Sequence, residues 1–207
     1  MLETSIPQKK RINNESEVIK NLSLIFKEDV DQLVTLYNKG HYKIVLSIAK
    51  SLIEKYPDSF FIWNILGAAL KILGNFELAL KAFNKSIQIN PNYADGFNNI
   101  GIILTQQGKI NEAIIAYEKA LFLDNKYVEA YVNYGNALRI IGKTNEAKKA
   151  YNKAILIDPN YINAYIKLGH AFLDQDKIDD ATQVFQKVIA YDKKNALAHF
   201  NLGQVLL

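Results

Sequence analysis

Three histidines, His41, His170 and His199, are the side chains of this 207-residue sequence best suited to acid–base or metal chemistry, and they stand far apart. Cysteine is absent, which removes disulfides, thiolate ligands and cysteine nucleophiles together and leaves the redox compartment open. The sequence has no glycine-rich phosphate loop, no Gly-x-Ser-x-Gly elbow and no His-Glu-x-x-His metal helix. Acidic residues are plentiful, but no pair is set apart for carboxylate chemistry. A different chemistry recurs at a fixed step. Asn99, Asn133 and Asn201 stand two residues before Gly101, Gly135 and Gly203, while Lys167 and Ile65 hold the same place before Gly169 and Gly67. A carboxamide both donates and accepts, so such a series can pair with successive peptide units whatever their side chains. The expectation is a chain that binds rather than catalyses, with no cofactor and no metal.

The elements that must position these groups follow from a repeat. Gly67, Gly101, Gly135, Gly169 and Gly203 are each 34 residues apart. Gly40, Gly74, Gly108 and Gly142 keep the same step, with Asp176 where the next glycine is due. Ala79, Ala113, Ala147 and Ala181 run in phase with both. Taking Phe60 as a first position gives units 60–93, 94–127, 128–161 and 162–195, with a divergent unit over 26–59. Each unit reads as two amphipathic helices: Trp63, Leu66, Leu70 and Leu73 recur at helical spacing over 60–73, and Phe76, Leu80, Phe83 and Ile87 over 76–89. Gly74 falls where the first helix must end and tolerates a left-handed cap. Glu77, Glu112, Glu146 and Asp180 put negative charge at the starts of the second helices. Pro57, Pro91 and Pro159 follow second helices that cannot continue through them. No stretch alternates like a half-buried strand, so the fold class is all-α.

This pattern resembles the tetratricopeptide repeat, whose 34-residue period carries Trp, Leu, Gly, Tyr, Ala, Phe and Pro at set positions. One unit supplies Trp63, Leu66, Gly67, Leu70, Ala79, Phe83 and Pro91, and the next Phe97, Ile100, Gly101, Leu104, Ala113, Tyr117 and Ala120. The following two supply Tyr131, Gly135, Ala147, Tyr151 and Pro159, then Tyr165, Gly169, Ala181 and Phe185. The 26–59 unit departs most, with Leu33 in place of the first glycine and Val45 in place of the alanine. The small residues Gly67 and Ala79 are expected where paired helices approach most closely, with Trp63 and Phe83 filling the space beside them. The resemblance implies a right-handed α-solenoid of stacked antiparallel helix pairs.

It also implies that the first helices of successive units line a concave groove receiving an extended peptide or a partner helix. Mapped onto this chain, the groove residues are Asn64, Asn99, Asn133, Asn136, Arg139, Lys167, His170 and Asn201. The Asn99–Asn133–Asn201 series is similar to the asparagine ladder in the arrays of protein O-linked N-acetylglucosamine transferases. The groove charges are mixed, with Lys71, Arg139 and Lys167 against Asp95, Glu129 and Asp174, which argues against nucleic acid. Tyr131, Tyr134, Tyr151 and Tyr165 fall at packing positions rather than on a base-stacking platform. His199 takes the place of Trp63 and is expected to pack, while His41 falls in a turn. The function expected is a protein-interaction scaffold. The alternative is the substrate-recruiting arm of an enzyme, with a glycosyltransferase or sulfotransferase-like domain after residue 207.

Residues 1–15, with Lys9, Lys10 and Arg11, read as a flexible tail without an apolar leader. Residues 16–59 read as a capping segment running into the divergent first repeat. Residues 196–207 read as the first helix of a truncated further repeat, whose open apolar face offers self-association or continues into a longer protein. Lys and Arg number 25 against 21 Asp and Glu, a net +4 that is too mild to call for a polyanion. No apolar run reaches the roughly 18–20 residues of a membrane span, and the expected location is cytoplasmic.

Overall fold

Five turns of the chain carry one hydrogen-bond pattern. The Gly40, Gly74, Gly108, Gly142 and Asp176 amides donate to the carbonyls of Tyr37, Lys71, Thr105, Arg139 and Leu173. The amide of the next residue reaches back one step further in each case, to Leu36, Leu70, Leu104, Leu138 and Phe172. This is the Schellman closure of a helix C-terminus, and it needs a left-handed residue. The four glycines have φ between 75° and 79°, and Asp176 has φ 56°. Asp176 is the position at which the glycine series lapses, and an L side chain there is strained. Asp176→Gly should therefore stabilise the chain by about 0.5–1 kcal/mol, seen as a higher urea midpoint, less the entropy glycine adds to the unfolded chain.

The opposite turns repeat as well. The side-chain oxygens of Asn90, Asp124, Asp158 and Asp192 each accept the amide two residues on, at 2.9–3.1 Å. These Asx turns steer the chain out of a second helix and into the next first helix.

The structure, a computed structural model, describes residues 26–205. The tail over 1–15, the capping segment before residue 26, and the last two residues lie outside it. Among the described residues all regular structure is helical. Helix α1 is present over 26–38, followed by α2 (Tyr42–Lys55), α3 (Phe60–Ile72), α4 (Phe76–Ile89) and α5 (Ala94–Gln106). Then come α6 (Ile110–Leu123), α7 (Val128–Ile140), α8 (Thr144–Ile157), α9 (Ile162–Leu173), α10 (Ile178–Tyr191) and α11 (Ala196–Val205). None is long and apolar enough to cross a membrane. The chain divides into two compact units between Ala82 and Phe83, within α4.

In the first unit α2 packs on α3. The Ser59 hydroxyl caps α3 by accepting the Ile62 amide, and Trp63 Nε1 donates to the Pro57 carbonyl at 3.0 Å. Leu33, Val45 and Ala49 are fully buried. Leu33 stands where other units have glycine, and Ala49, 16 residues later, stands where they have Tyr117, Tyr151 or Phe185. Large and small have exchanged places. That exchange lets the divergent unit close its core without the glycine.

In the second unit α5 pairs with α6, α7 with α8 and α9 with α10, and each second helix also packs on the first helix that follows. A Cβ on Gly101 would lie 2.5 Å from Tyr117 Cε1, and one on Gly135 the same distance from Tyr151 Cε1. Gly169 stands in the same relation to Phe185. The ring from the second helix therefore lies directly on the glycine rather than beside it. Tyr117, Tyr151 and Phe185 are at most 2% exposed. Burial pushes the Tyr117 and Tyr151 phenols up to about 12.

Candidate functional site

Within the second unit the first helices also touch one another, α5 against α7 and α7 against α9. The second helices α6, α8 and α10 approach each other less closely. Tighter spacing along one row bends a stack toward that row, so α5, α7 and α9 form the inner surface of this unit. The expected groove residues of the second unit all lie on first helices: Asn99 on α5, Asn133, Asn136 and Arg139 on α7, Lys167 and His170 on α9, and Asn201 on α11. Asn64 is buried on α3, in the other unit.

Two polar clusters emerge. In the first, Asn133 Nδ2 donates to Asn98 Oδ1 at 3.1 Å, and Asn98 Nδ2 donates to the Tyr127 hydroxyl at 3.3 Å. Tyr127 and Tyr93 in turn both bond to the Asp95 carboxylate. Burial first, and this carboxylate second, hold both phenols above their ordinary range. Asn98 is 5% exposed, so its amide is committed to joining α5 to α7. Asn133 spends one donor on that bond and is half-buried. Asn99 is half-buried as well.

The second cluster lies toward the C-terminal ends of the same helices. Asn136 Oδ1 accepts the Tyr151 hydroxyl at 2.9 Å. Arg139 Nε lies 3.4 Å from Asp174 Oδ2, with a third or more of each side chain exposed. His170 packs edge-on to Phe185 at 6.0 Å between centroids and bonds to Asn201. Burial lowers His170 below the ordinary histidine value, helped by Arg139 and Lys167, while the Asn201 bond opposes the shift. No group of three or more acidic or histidine side chains suited to a metal occurs among the described residues.

Tyr93, Tyr127 and Tyr161 recur at 34-residue steps just before α5, α7 and α9, and they do not stand among the expected site residues. Their period was the available signal, but only the fold shows Tyr127, at the end of the repeat, reaching back to Asn98 on its first helix. His199 differs from expectation. It is exposed, and its Nε2 lies 2.9 Å from the Lys193 carbonyl. Trp63 makes the equivalent bond to Pro57, six residues back in both cases, so a ring nitrogen at this position reaches the preceding turn.

Comparison with known proteins accords with this repeat geometry. A family model described as TPR repeat matches residues 101–139, 135–176 and 169–207, and models described as tetratricopeptide repeat match 60–93 and 82–115. No curated protein matches the chain in sequence. Among solved structures, MamA is 24% identical, with a TM-score of 0.69 over 78% of this chain and 95% of its own. YrrB, described as a TPR protein with an unusual peptide-binding site, is 17% identical, with a TM-score of 0.66 over 83% of this chain and 89% of its own. A thermophilic TPR protein of Thermus thermophilus, TTC0263, is 17% identical, with a TM-score of 0.71 over 87% of this chain and 98% of its own. Identities this low speak for the fold alone. The family models, however, run without a gap from residue 60 to 207, over the same helix pairs in which a ring seats on a glycine, and this chain belongs to the tetratricopeptide repeat family.

Proposed function

We propose that this chain is a non-catalytic interaction scaffold that receives an extended protein segment along its first helices. Its repeat units would run over 26–59, 60–93, 94–127, 128–161 and 162–195, with 196–207 opening another. The observation that supports the reading most is the half-buried polar row on adjoining first helices, Asn99, Asn133 and Lys167, beside an Asn98 already committed to structure. Asn133 in particular is held in place by its bond to Asn98, which is the preorganisation a groove needs to keep ordering costs low. YrrB, a relative in fold, is described as having a peptide-binding site, which makes the same use reasonable here. Affinity would come from many modest contacts rather than one anchor.

The test is Asn99→Ala combined with Asn133→Ala, measured against extended peptides by fluorescence anisotropy. Each lost amide contact should weaken capture about five- to tenfold. The Asn133 change should also cost about 1 kcal/mol of stability, because Asn98 Oδ1 loses its donor. Peptide affinity that survives the double change would remove the asparagines from the binding role.

A further inference from the structure

The second helices of the second unit leave large apolar side chains open. On α6 Ile115 is 67% and Phe122 81% exposed, and on α8 Leu156 is 73% exposed. Phe122 and Leu156 stand 34 residues apart, at the same place in their repeats. Glu112, Ile115, Lys119 and Phe122 follow one another at steps of three and four residues, so they form one stripe along α6. All four are exposed. Lys119 Nζ lies 5.2 Å from the centre of the Phe122 ring. Glu118, beside this stripe, accepts the Tyr134 hydroxyl at 2.9 Å. On α8 the same places hold Glu146, Lys149, Lys153 and Leu156, also exposed.

The order of charges along these stripes decides what can cover them. Acid stands toward the start of each helix and lysine toward its end. An anionic lipid surface favours one sign throughout, so Glu112 and Glu146 oppose it. A second copy of the chain matches both signs when its helices run the opposite way. About a two-fold axis crossing α6 beside Ile115, Glu112 and Lys119 stand at equal distances on either side, roughly 5 Å by the helical rise. Glu112 of each copy then lies level with Lys119 of the other, and Ile115 meets Ile115. Phe122 reaches the level of the exposed Gly108–Lys109 turn. On α8 the same axis sets Glu146 level with Lys153 of the second copy. Glu146 is paired with Lys143 at 3.6 Å, each about half exposed, a contact weak enough to exchange. Lys149 meets its own copy unfavourably, but its long stem lets the ammonium turn to water.

We infer that the exposed faces of α6 and α8 pair with those of a second copy, antiparallel about a two-fold axis, through Ile115, Phe122 and reciprocal Glu112–Lys119 contacts. Each helix has 14 residues. That is a length of about 21 Å, and two helices side by side span about 20 Å. The pairing therefore buries on the order of 1,000 Å² in total, the lower end of specific interfaces. It corresponds to a weak dimer, with a dissociation constant of about 10–100 µM. The inner surface formed by α5, α7 and α9 belongs to the other row and stays open. A dimer thus offers two such surfaces to one partner, which raises avidity.

Sedimentation equilibrium of the full chain, across about three decades of concentration around that constant, should show a reversible monomer–dimer equilibrium. Glu112→Lys and Lys119→Glu should each weaken it about tenfold or more, because like charges then face each other. Mixed in equal amounts, those two variants should associate again, since each supplies what the other has reversed. A chain carrying both changes should dimerise like the parent. Phe122→Ser should weaken the dimer about tenfold with an unaltered far-UV circular dichroism spectrum. Leu197→Ser combined with Phe200→Ser, on the exposed face of α11, should leave the dimer unchanged. A parent that stays monomeric throughout, a dimer indifferent to both α6 reversals, or one abolished by the α11 changes would overturn the pairing. So would a monomer that sediments with phosphatidylserine vesicles and loses them on Phe122→Ser, a result that assigns the patch to lipid.

Discussion

Gly135→Leu should cost about 3 kcal/mol or more, and adding Tyr151→Ala should recover much of that loss. The first half follows from space. A Cβ on Gly135 would sit 2.5 Å from Tyr151 Cε1 and 2.9 Å from Cδ1 and Cζ, before the rest of a leucine is added. Tyr151 is fully buried and tied by its hydroxyl to Asn136, so the ring cannot swing aside without breaking that bond. The helix propensity gained on replacing glycine, roughly 0.8 kcal/mol, is smaller than the overpacking cost. The second half follows from the divergent unit, which places Leu33 and Ala49 at the corresponding positions and buries both completely. Tyr151→Ala alone should cost about 3–5 kcal/mol as a large-to-small core change. The two single variants together predict a loss of about 6 kcal/mol or more if additive, whereas the double variant should lose only about 1–2 kcal/mol, chiefly the unpaired Asn136. Urea unfolding followed by far-UV circular dichroism measures all four proteins, compared as midpoints because repeat arrays need not unfold in one step. Strictly additive midpoints would show that ring and glycine do not share one site.

Phe185→Ala should destabilise the chain by about 3–5 kcal/mol and should move the titration of a histidine it touches. Phe185 is fully buried, presses on Gly169 and meets the His170 ring edge-on. Its loss leaves a cavity between α9 and α10 and lets water reach the imidazole. His170 titrates below the usual histidine value chiefly because burial disfavours its charged form, so hydration should bring it back up. The sign for stability is fixed by the same fact. A histidine whose folded value is depressed binds its proton more readily when unfolded, so the parent chain should lose stability as pH falls below roughly 6.5. The groups acting on it are Arg139, Lys167, Asp174, Asn201 and Phe185. In Phe185→Ala that acid sensitivity should shrink. NMR titration of the three histidines, with melting curves at about pH 7 and about pH 5.5 to bracket the usual histidine range, tests both parts. A His170 midpoint unmoved by the substitution would show that something other than this ring keeps it dry.

Much of the fold was legible because a repeat states its rules several times over. The glycine series fixed the left-handed turns, and even its exception, Asp176, adopts a positive φ because the helix ends there whatever residue is present. The bounds of α4 coincide with the periodic stretch 76–89. The candidate site was less legible. Position within the repeat placed Asn99, Asn133, Lys167, His170 and Asn201 on first helices, but said nothing of which amides were already spent. Asn98 and Asn133 look alike in sequence, yet Asn98 is 5% exposed and bonded to Tyr127 while Asn133 stays half-open. His199 holds a packing position in the repeat and is exposed.

The sequence by itself determined the period, the helix pairs, the turns and the type of residue at each packing position. These depend on backbone geometry and side-chain volume, which act between residues close along the chain and repeat identically. Only the tertiary structure decided which polar groups join one repeat to the next and which remain available, and it left Asn201 Nδ2 without an acceptor among the described residues. A hydrogen bond depends on fractions of an ångström between groups roughly 30 residues apart, and no pattern along the chain carries that distance.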